Sequence, residues 1–358
     1  MRTHLKTLIV AALTVALLGW FFRQADLAQV WGEIRNAEPW ALVLLLVTTG
    51  LTYVLRALRW QFLLRPIGPT RFSQAFRTTV IGFAANTVLP ARVGEIVRPY
   101  LLARREGLSV PATFTTIILE RLLDLVTVLV FLGAFVAFFD PGLDRVNAAV
   151  YRGVKLGGLL GAIGSGAVLL VLALNAFRPA LTHRLVDFCL RPLPRGLRDR
   201  LSALVYGLLD GLAVTRDPLR LAQALALSVP LWLSIAAGIW LVTAAFHMTI
   251  PFTGSFLIVA LLTVGVAVPT PGAVGGFHEF FRIGAAVFYG VDNDRAVGAA
   301  LVLHAASFVP VTLLGGLFMM QDGLDLARVR RIGDEARASG GATALPVADG
   351  KERGAAGA

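Results

Sequence analysis

Three stretches hold most of the side chains able to do chemistry in an otherwise apolar chain. The first runs Asn86-Thr-Val-Leu-Pro-Ala-Arg92-Val-Gly-Glu95-Ile-Val-Arg98, two arginines and a glutamate just after a proline that ends an apolar segment. Arg92 and Glu95, three apart, can pair on one helical face. Arg98 has no assigned partner, and its planar guanidinium is read as free to grip a phosphate through two parallel hydrogen bonds. The bland alternative is an ion pair at the cytoplasmic surface. The second stretch is Glu120, Arg121 and Asp124 inside the apolar run 112–139. Glu120 and Asp124 share a face at i, i+4, and Arg121 approaches Asp124 at i, i+3. They lie roughly 12 to 18 Å along a helix counted from Ala112, where a charge costs about 3 kcal/mol or more. Arg56 or Arg59 is therefore expected to partner the leftover acid, in a network that either locks helices together or serves a ligand.

The third stretch is Pro269-Thr-Pro-Gly272-Ala-Val-Gly275-Gly276-Phe-His278-Glu279. Proline stops a helix and glycine lets backbone approach a ligand. Helix N-termini facing each other across such a break would attract an anionic headgroup. Glu279 and Arg282 repeat the Arg92–Glu95 pair in reversed order, again as site or as simple structural pairing. His278-Glu279 opens a zinc-protease motif, but Arg282 stands where its second histidine belongs, and the glycine cluster has no βαβ unit around it. His304 is read as a packing residue. The candidate binding residues are thus Asn86, Arg92, Glu95, Arg98, Glu120, Arg121, Asp124, Gly272, Gly275, Gly276, Glu279 and Arg282. No catalytic residue, metal or cofactor is assigned: Cys189 is the single cysteine, and no two of the five histidines stand at ligand spacing.

These residues must be positioned by membrane helices. Of 358 residues 56% are hydrophobic and 15% charged, which excludes a soluble enzyme. Runs near 5–22, 40–64, 112–139, 154–177, 221–246 and 296–320 reach the roughly 20 residues a spanning helix needs. The first lacks a cleavage site and reads as a retained helix. Two further segments, 76–101 and 253–290, are apolar but broken by proline, glycine and a carboxylate. Irregular backbone at membrane depth must be shielded by protein or line a wet cavity, so re-entrant helical hairpins are expected.

Arginine placement sets the orientation. Segment 178–220 carries eight arginines and Arg56 to Arg121 ten, against five in 23–39, 140–153, 247–252 and 291–295 together. Both termini are then cytoplasmic, in a cytoplasmic (inner) membrane. The expectation is an all-α integral membrane protein with about six spanning helices and two re-entrant hairpins. Residues 1–321 form the membrane domain, in inverted halves of about 1–140 and 150–321. An amphipathic cytoplasmic linker, 178–220, has Leu181, Leu185, Phe188 and Leu201, Leu204, Leu208 at helical spacing around Pro192 and Pro194. The tail 322–358 reads as largely disordered. Trp20, Trp31, Trp40 and Trp60 fit an aromatic belt at the interfaces. With the basic residues set among apolar segments, the net charge of +11 points to anionic lipid rather than nucleic acid. A second copy of the chain is a further candidate partner.

The run Asn86 to Arg98, followed by Glu120-Arg121, Asp124 and Pro269-x-Pro-Gly-x-x-Gly-Gly-x-x-Glu279, resembles the flippase-like family related to the transmembrane region of lysylphosphatidylglycerol synthetases. The resemblance covers about Leu5 to Met320. It implies a lipid flippase. In the family's namesakes this region moves an aminoacylated phospholipid between leaflets and precedes a soluble aminoacyl-transferase domain, which is not expected here. Stand-alone members are associated with other lipids, including hopanoids and polyprenyl-linked or mannosylated glycolipids, so a phospholipid, glycolipid or isoprenoid lipid is the expected partner. No ATPase motif is present. Two other classes stay open: a lipid-modifying enzyme with Glu95, Glu120 or Glu279 as general base, and a non-transporting envelope assembly partner.

Overall fold

A computed structural model describes residues 2–338 except 24, 90, 91, 139–147, 193, 195, 200, 201, 203–216 and 269. Every regular element among them is a helix. In chain order these are α1 Arg2–Phe22, α2 Leu27–Arg35, α3 Pro39–Leu64, α4 Phe72–Val88, α5 Gly94–Glu106, α6 Val110–Phe138, α7 Ala148–Phe177, α8 Pro179–Leu190, α9 Pro218–Ala245, α10 Gly254–Ala267, α11 Gly276–Arg282, α12 Asn293–Gln321 and α13 Leu326–Ala338. A π-helical turn, Ile283–Val287, extends α11. Local chemistry sets several of the ends. Asp26, Asp217 and Asp292 each accept two backbone N–H bonds at the starts of α2, α9 and α12, satisfying donors that have no partner inside the helix. Pro39 and Pro218 sit at first-turn positions where their missing N–H costs nothing.

Among the described residues α3, α6, α9 and α12 are long and apolar enough to cross a membrane. Their outward faces are apolar. Val43, Leu46, Val47 and Leu51 on α3 and Val309, Leu313 and Met320 on α12 stand exposed, a surface that water would penalise and acyl chains would not. Trp31 and Trp40 are exposed as a belt requires, whereas Trp60 is wholly buried. It leaves the belt because a guanidinium lies on its face and its indole N–H donates to Thr116 Oγ1 at 3.0 Å.

The two broken segments are antiparallel hairpins. In α4–α5, Gly82 packs against Gly94 with no room for a Cβ between them, and Arg105 Nη1 donates to Gln74 Oε1 at the open end. In α10–α11, Gly265 meets Gly276 in the same way and Gly254 meets the Tyr289 ring at the open end. Helices α3 and α9 run antiparallel through the centre, tied by Glu38 N–H to Ala245 C=O (2.9 Å), Thr52 Oγ1 to Ser234 Oγ (2.8 Å) and Arg59 Nη1 to Ser228 Oγ (2.9 Å). The first helix of each hairpin packs on the last long helix of the other half, α4 on α12 and α10 on α6. Exchanging α3–α6 with α9–α12 thus leaves the packing pattern unchanged.

Within the expected linker, α8 carries Leu181, Leu185 and Phe188 exposed. Leu201, Leu204 and Leu208 lie outside the described residues, as do Pro90, Pro269 and everything beyond 338. Residues 326–338, expected within the disordered tail, form α13. Val329 on that helix is buried with Val93, Val97, Leu101 and Met319, an apolar contact that composition alone does not reveal.

Candidate functional site

The tips of the hairpins meet. Arg92, just before α5, has a left-handed backbone with φ 52°, a conformation costing a non-glycine residue roughly 1–2 kcal/mol. That backbone sends its side chain across to α10, where Nη2 donates to Val266 C=O at 2.7 Å while Nη1 faces Glu95 Oε1 at 3.4 Å. From the other side the turn Pro271–Ala273, with Gly272 at φ 59°, packs against the end of α4. A cavity of about 430 Å³ lies at this junction, between α3, α4, α6, α9, α10 and α12.

One wall of the cavity is charged. Four arginines surround two carboxylates. Glu120 Oε1 accepts from Arg98 Nη1 at 3.0 Å and Arg121 Nη2 at 2.8 Å, with Arg59 at 3.7 Å and Arg56 at 3.8 Å. Asp124 Oδ1 forms an ion pair with Arg59 Nη1 at 2.7 Å and accepts from Trp232 Nε1 at 3.0 Å. Its Oδ2 faces Arg121 at 3.4 Å and Arg56 at 3.8 Å. The Arg98 guanidinium stacks over Trp60 at 3.8 Å and that of Arg56 over Phe83 at 4.8 Å. Buried charge is retained only when paired and hydrogen-bonded. Here each acid is hydrogen-bonded through one oxygen, while Glu120 Oε2 and Asp124 Oδ2, together with Arg56 Nε, Arg59 Nε and Nη2, Arg98 Nε and Nη2, and Arg121 Nε, are buried without a hydrogen-bond partner.

Asn86, Arg92, Glu95, Arg121, Asp124 and Gly272 line the cavity; Glu120 and Arg98 lie behind its wall. Arg98 is therefore not the free guanidinium expected, because α5 packs on α6 and brings it onto Glu120. Gly275, Gly276, Glu279 and Arg282 are not on the wall. The space beside Gly275 is filled by Leu17 of α1, and Gly276 is pressed on Gly265, so both glycines are points of close packing. Glu279 pairs with Arg282 at 2.6 Å and accepts from Trp20 Nε1 at 3.1 Å, and Arg282 donates to Asn293 Oδ1 at 3.2 Å. This pair joins α1, α11 and α12 away from the cavity.

A family model for the lysylphosphatidylglycerol synthase TM region matches residues 6–315. The chain belongs to that family. Relatives of this synthase-region member include AglD of Haloferax volcanii, named a glycosyltransferase, which is 25% identical over 341 residues covering 89% of this chain and 54% of AglD. A UPF0104 membrane protein of Methanothermobacter thermautotrophicus is 21% identical over 333 residues, 88% of this chain and 92% of that protein. A UPF0104 membrane protein of Methanocaldococcus jannaschii matches at 27% over 107 residues, 29% of this chain and 32% of its own length. The chain spans about half the length of AglD. Family and apolar helices together make this a multi-pass membrane protein.

Sequence reasoning missed the cluster opposite the charged wall. His304 Nε2 lies 2.8 Å from Gly272 C=O, and its ring stacks on Phe308 at 4.4 Å and meets His278 at 4.5 Å. His278 Nδ1 in turn accepts from Gly275 N–H at 3.2 Å. The signal available was the i, i+4 spacing of His304 and Phe308, one helical turn apart.

Proposed function

We propose that this protein moves a lipid with an anionic, aminoacylated or glycosylated headgroup between the leaflets of the cytoplasmic membrane, both termini lying in the cytoplasm. In this reading α1, α3, α6, α7, α9 and α12 cross the bilayer. Hairpins α4–α5 and α10–α11 re-enter from opposite sides and meet near the midplane. The observation that carries the proposal is the cavity at the meeting of the tips, with guanidinium groups on one wall and Leu45, Ile239, Val259 and Leu262 elsewhere. A headgroup needs the first and the start of an acyl or prenyl tail the second. Transport proceeds by rocking of one half against the other. Thr52–Ser234 is the pivot between α3 and α9. The Arg92 to Val266 contact is the bond that must part for the cavity to face the other leaflet.

The name of AglD favours a second reading, a lipid-modifying enzyme. Of the three acids that could act as its base only Glu95 lines the cavity. Reconstitution separates the readings. Liposomes holding the pure protein are expected to redistribute lipid between leaflets with no change in its mass, and a new product lost in Glu95→Gln would replace transport by chemistry. Topology is read separately from a Cys189→Ser background. Gln29→Cys is expected to react with an impermeant thiol reagent in intact cells and Arg198→Cys only after permeabilisation; the reverse result would sink the orientation.

A further inference from the structure

The charges at the cavity are not balanced, and the imbalance has a definite size. Among the described residues, the charged side chains lining it are Arg56, Arg92 and Arg121 against Glu95 and Asp124. Behind them Arg59 and Arg98 share Glu120. Five guanidinium groups thus face three carboxylates, and every carboxylate is engaged by at least one arginine. Among the described residues two positive charges stay uncompensated, at a depth where each costs about 3 kcal/mol or more. Across the cavity stand Phe277, Phe308 and Ser307, with no acid among the described residues to answer them.

Resting on the reading of this cavity as a headgroup site, we propose that its ligand ends in a phosphoryl dianion, a phosphomonoester or a diphosphate. A phosphodiester headgroup carries one negative charge and would leave one guanidinium unanswered. An aminoacylated phosphatidylglycerol with one ammonium is neutral and would leave both guanidinium groups unanswered, and a lysylated one, with two ammonium groups, would add to the excess. A terminal phosphoryl group supplies two charges and three acceptor oxygens, matching the planar donor forks of Arg56 and Arg121, whose Nε groups lack partners. Thr270 Oγ1, buried on the same cavity and without a hydrogen-bond partner, is a further donor. Arg121 and Arg92 are the parts of the wall that a ligand reaches first, with side chains 37% and 44% exposed against 9% for Arg56.

The test is binding to the full-length protein in neutral nanodiscs. Its probes are phosphatidic acid, phosphatidylglycerol and lysylphosphatidylglycerol of identical acyl chains, a polyprenyl monophosphate, and inorganic pyrophosphate. With a second phosphate pKa of about 6, phosphomonoesters are dianions at pH 8 and largely monoanions at pH 5. At pH 8 phosphatidic acid and polyprenyl phosphate are expected to bind at least tenfold tighter than phosphatidylglycerol, with the lysyl lipid weakest. That preference is expected to shrink at least threefold at pH 5 and in Arg121→Gln. Equal binding of all three phospholipids at pH 8, or a preference indifferent to both pH and Arg121→Gln, overturns the dianion while leaving a headgroup site. Absence of binding by every lipid overturns the headgroup reading itself. Pyrophosphate binding as tightly as phosphatidic acid upholds the dianion and assigns it to a soluble phosphate instead of a lipid. The pH comparison uses the unaltered protein and does not depend on how the variant folds.

Discussion

The two halves put the same framework to opposite electrostatic uses. Asp124 and Leu125 of α6 line the cavity from one side, Ser307 and Phe308 of α12 from the other. In that register Arg121 is matched by His304 and Glu120 by Leu303. The first half therefore presents a buried ionic lattice, the second an aromatic and imidazole cluster without a carboxylate. The second half has its own ion pair, Glu279–Arg282, turned away toward α1 and closed by Trp20 and Asn293. A repeat in the backbone does not imply a repeat in the chemistry. In the proposed headgroup site, ligand charge would be answered on one side only, giving the headgroup a preferred pole within an otherwise symmetrical cavity.

The contrast is broken most severely at Glu120. Glu120→Gln leaves Arg98, Arg121, Arg59 and Arg56 around one remaining acid, and removing one side of a buried pair costs about 3–5 kcal/mol. The expected outcome is loss of folded protein from the membrane fraction, read by fluorescence-detected size exclusion. Leu303→Gln, in the matching place, is expected to cost about half as much, since it leaves no unpaired charge. Gly276→Leu comes next: it is expected to lower the melting temperature together with transport, through the clash with Gly265, and selective loss of transport at unchanged stability would return this glycine to the headgroup site. Arg92→Ala sharpens the contrast differently. Its exposed pair with Glu95 contributes about 1 kcal/mol or less, so the melting temperature should hold while redistribution in liposomes falls at least tenfold. The smallest effect is expected from Arg282→Lys, which keeps the charge toward Glu279. Transport should stay within about twofold, and a larger loss would mean that the second ion pair also reaches the ligand.

The long helices are legible because apolar runs of spanning length have few other uses, and the breaks that fold both segments into helix pairs are legible from proline and glycine set beside charge. The acid and base pairs at i, i+3 are likewise legible, since that spacing is a property of one helix. What failed depended on which helix packs on which. Arg98 reads as free in the sequence because nothing local tells that α5 lies against Glu120 of α6. Trp60 looks like an interface residue because its position near a helix end suits one, although a guanidinium covers it. Gly275 and Gly276 have the composition of a ligand loop, and only the positions of Leu17 and Gly265 reveal them as contact points between helices. The His278–His304 cluster joins residues 26 positions apart, beyond any helical periodicity.

The bond between the hairpin tips has an acceptor that belongs to the backbone. Arg92 reaches the carbonyl oxygen of Val266, not its side chain. Any residue at 266 that keeps α10 helical presents the same oxygen, so the contact is insensitive to drift on one side and wholly dependent on the other. In a genetic screen this should read as an asymmetry: loss-of-function alleles gather at Arg92, none of the compensating alleles arise at 266, and the two positions evolve without a trace of covariation although they touch.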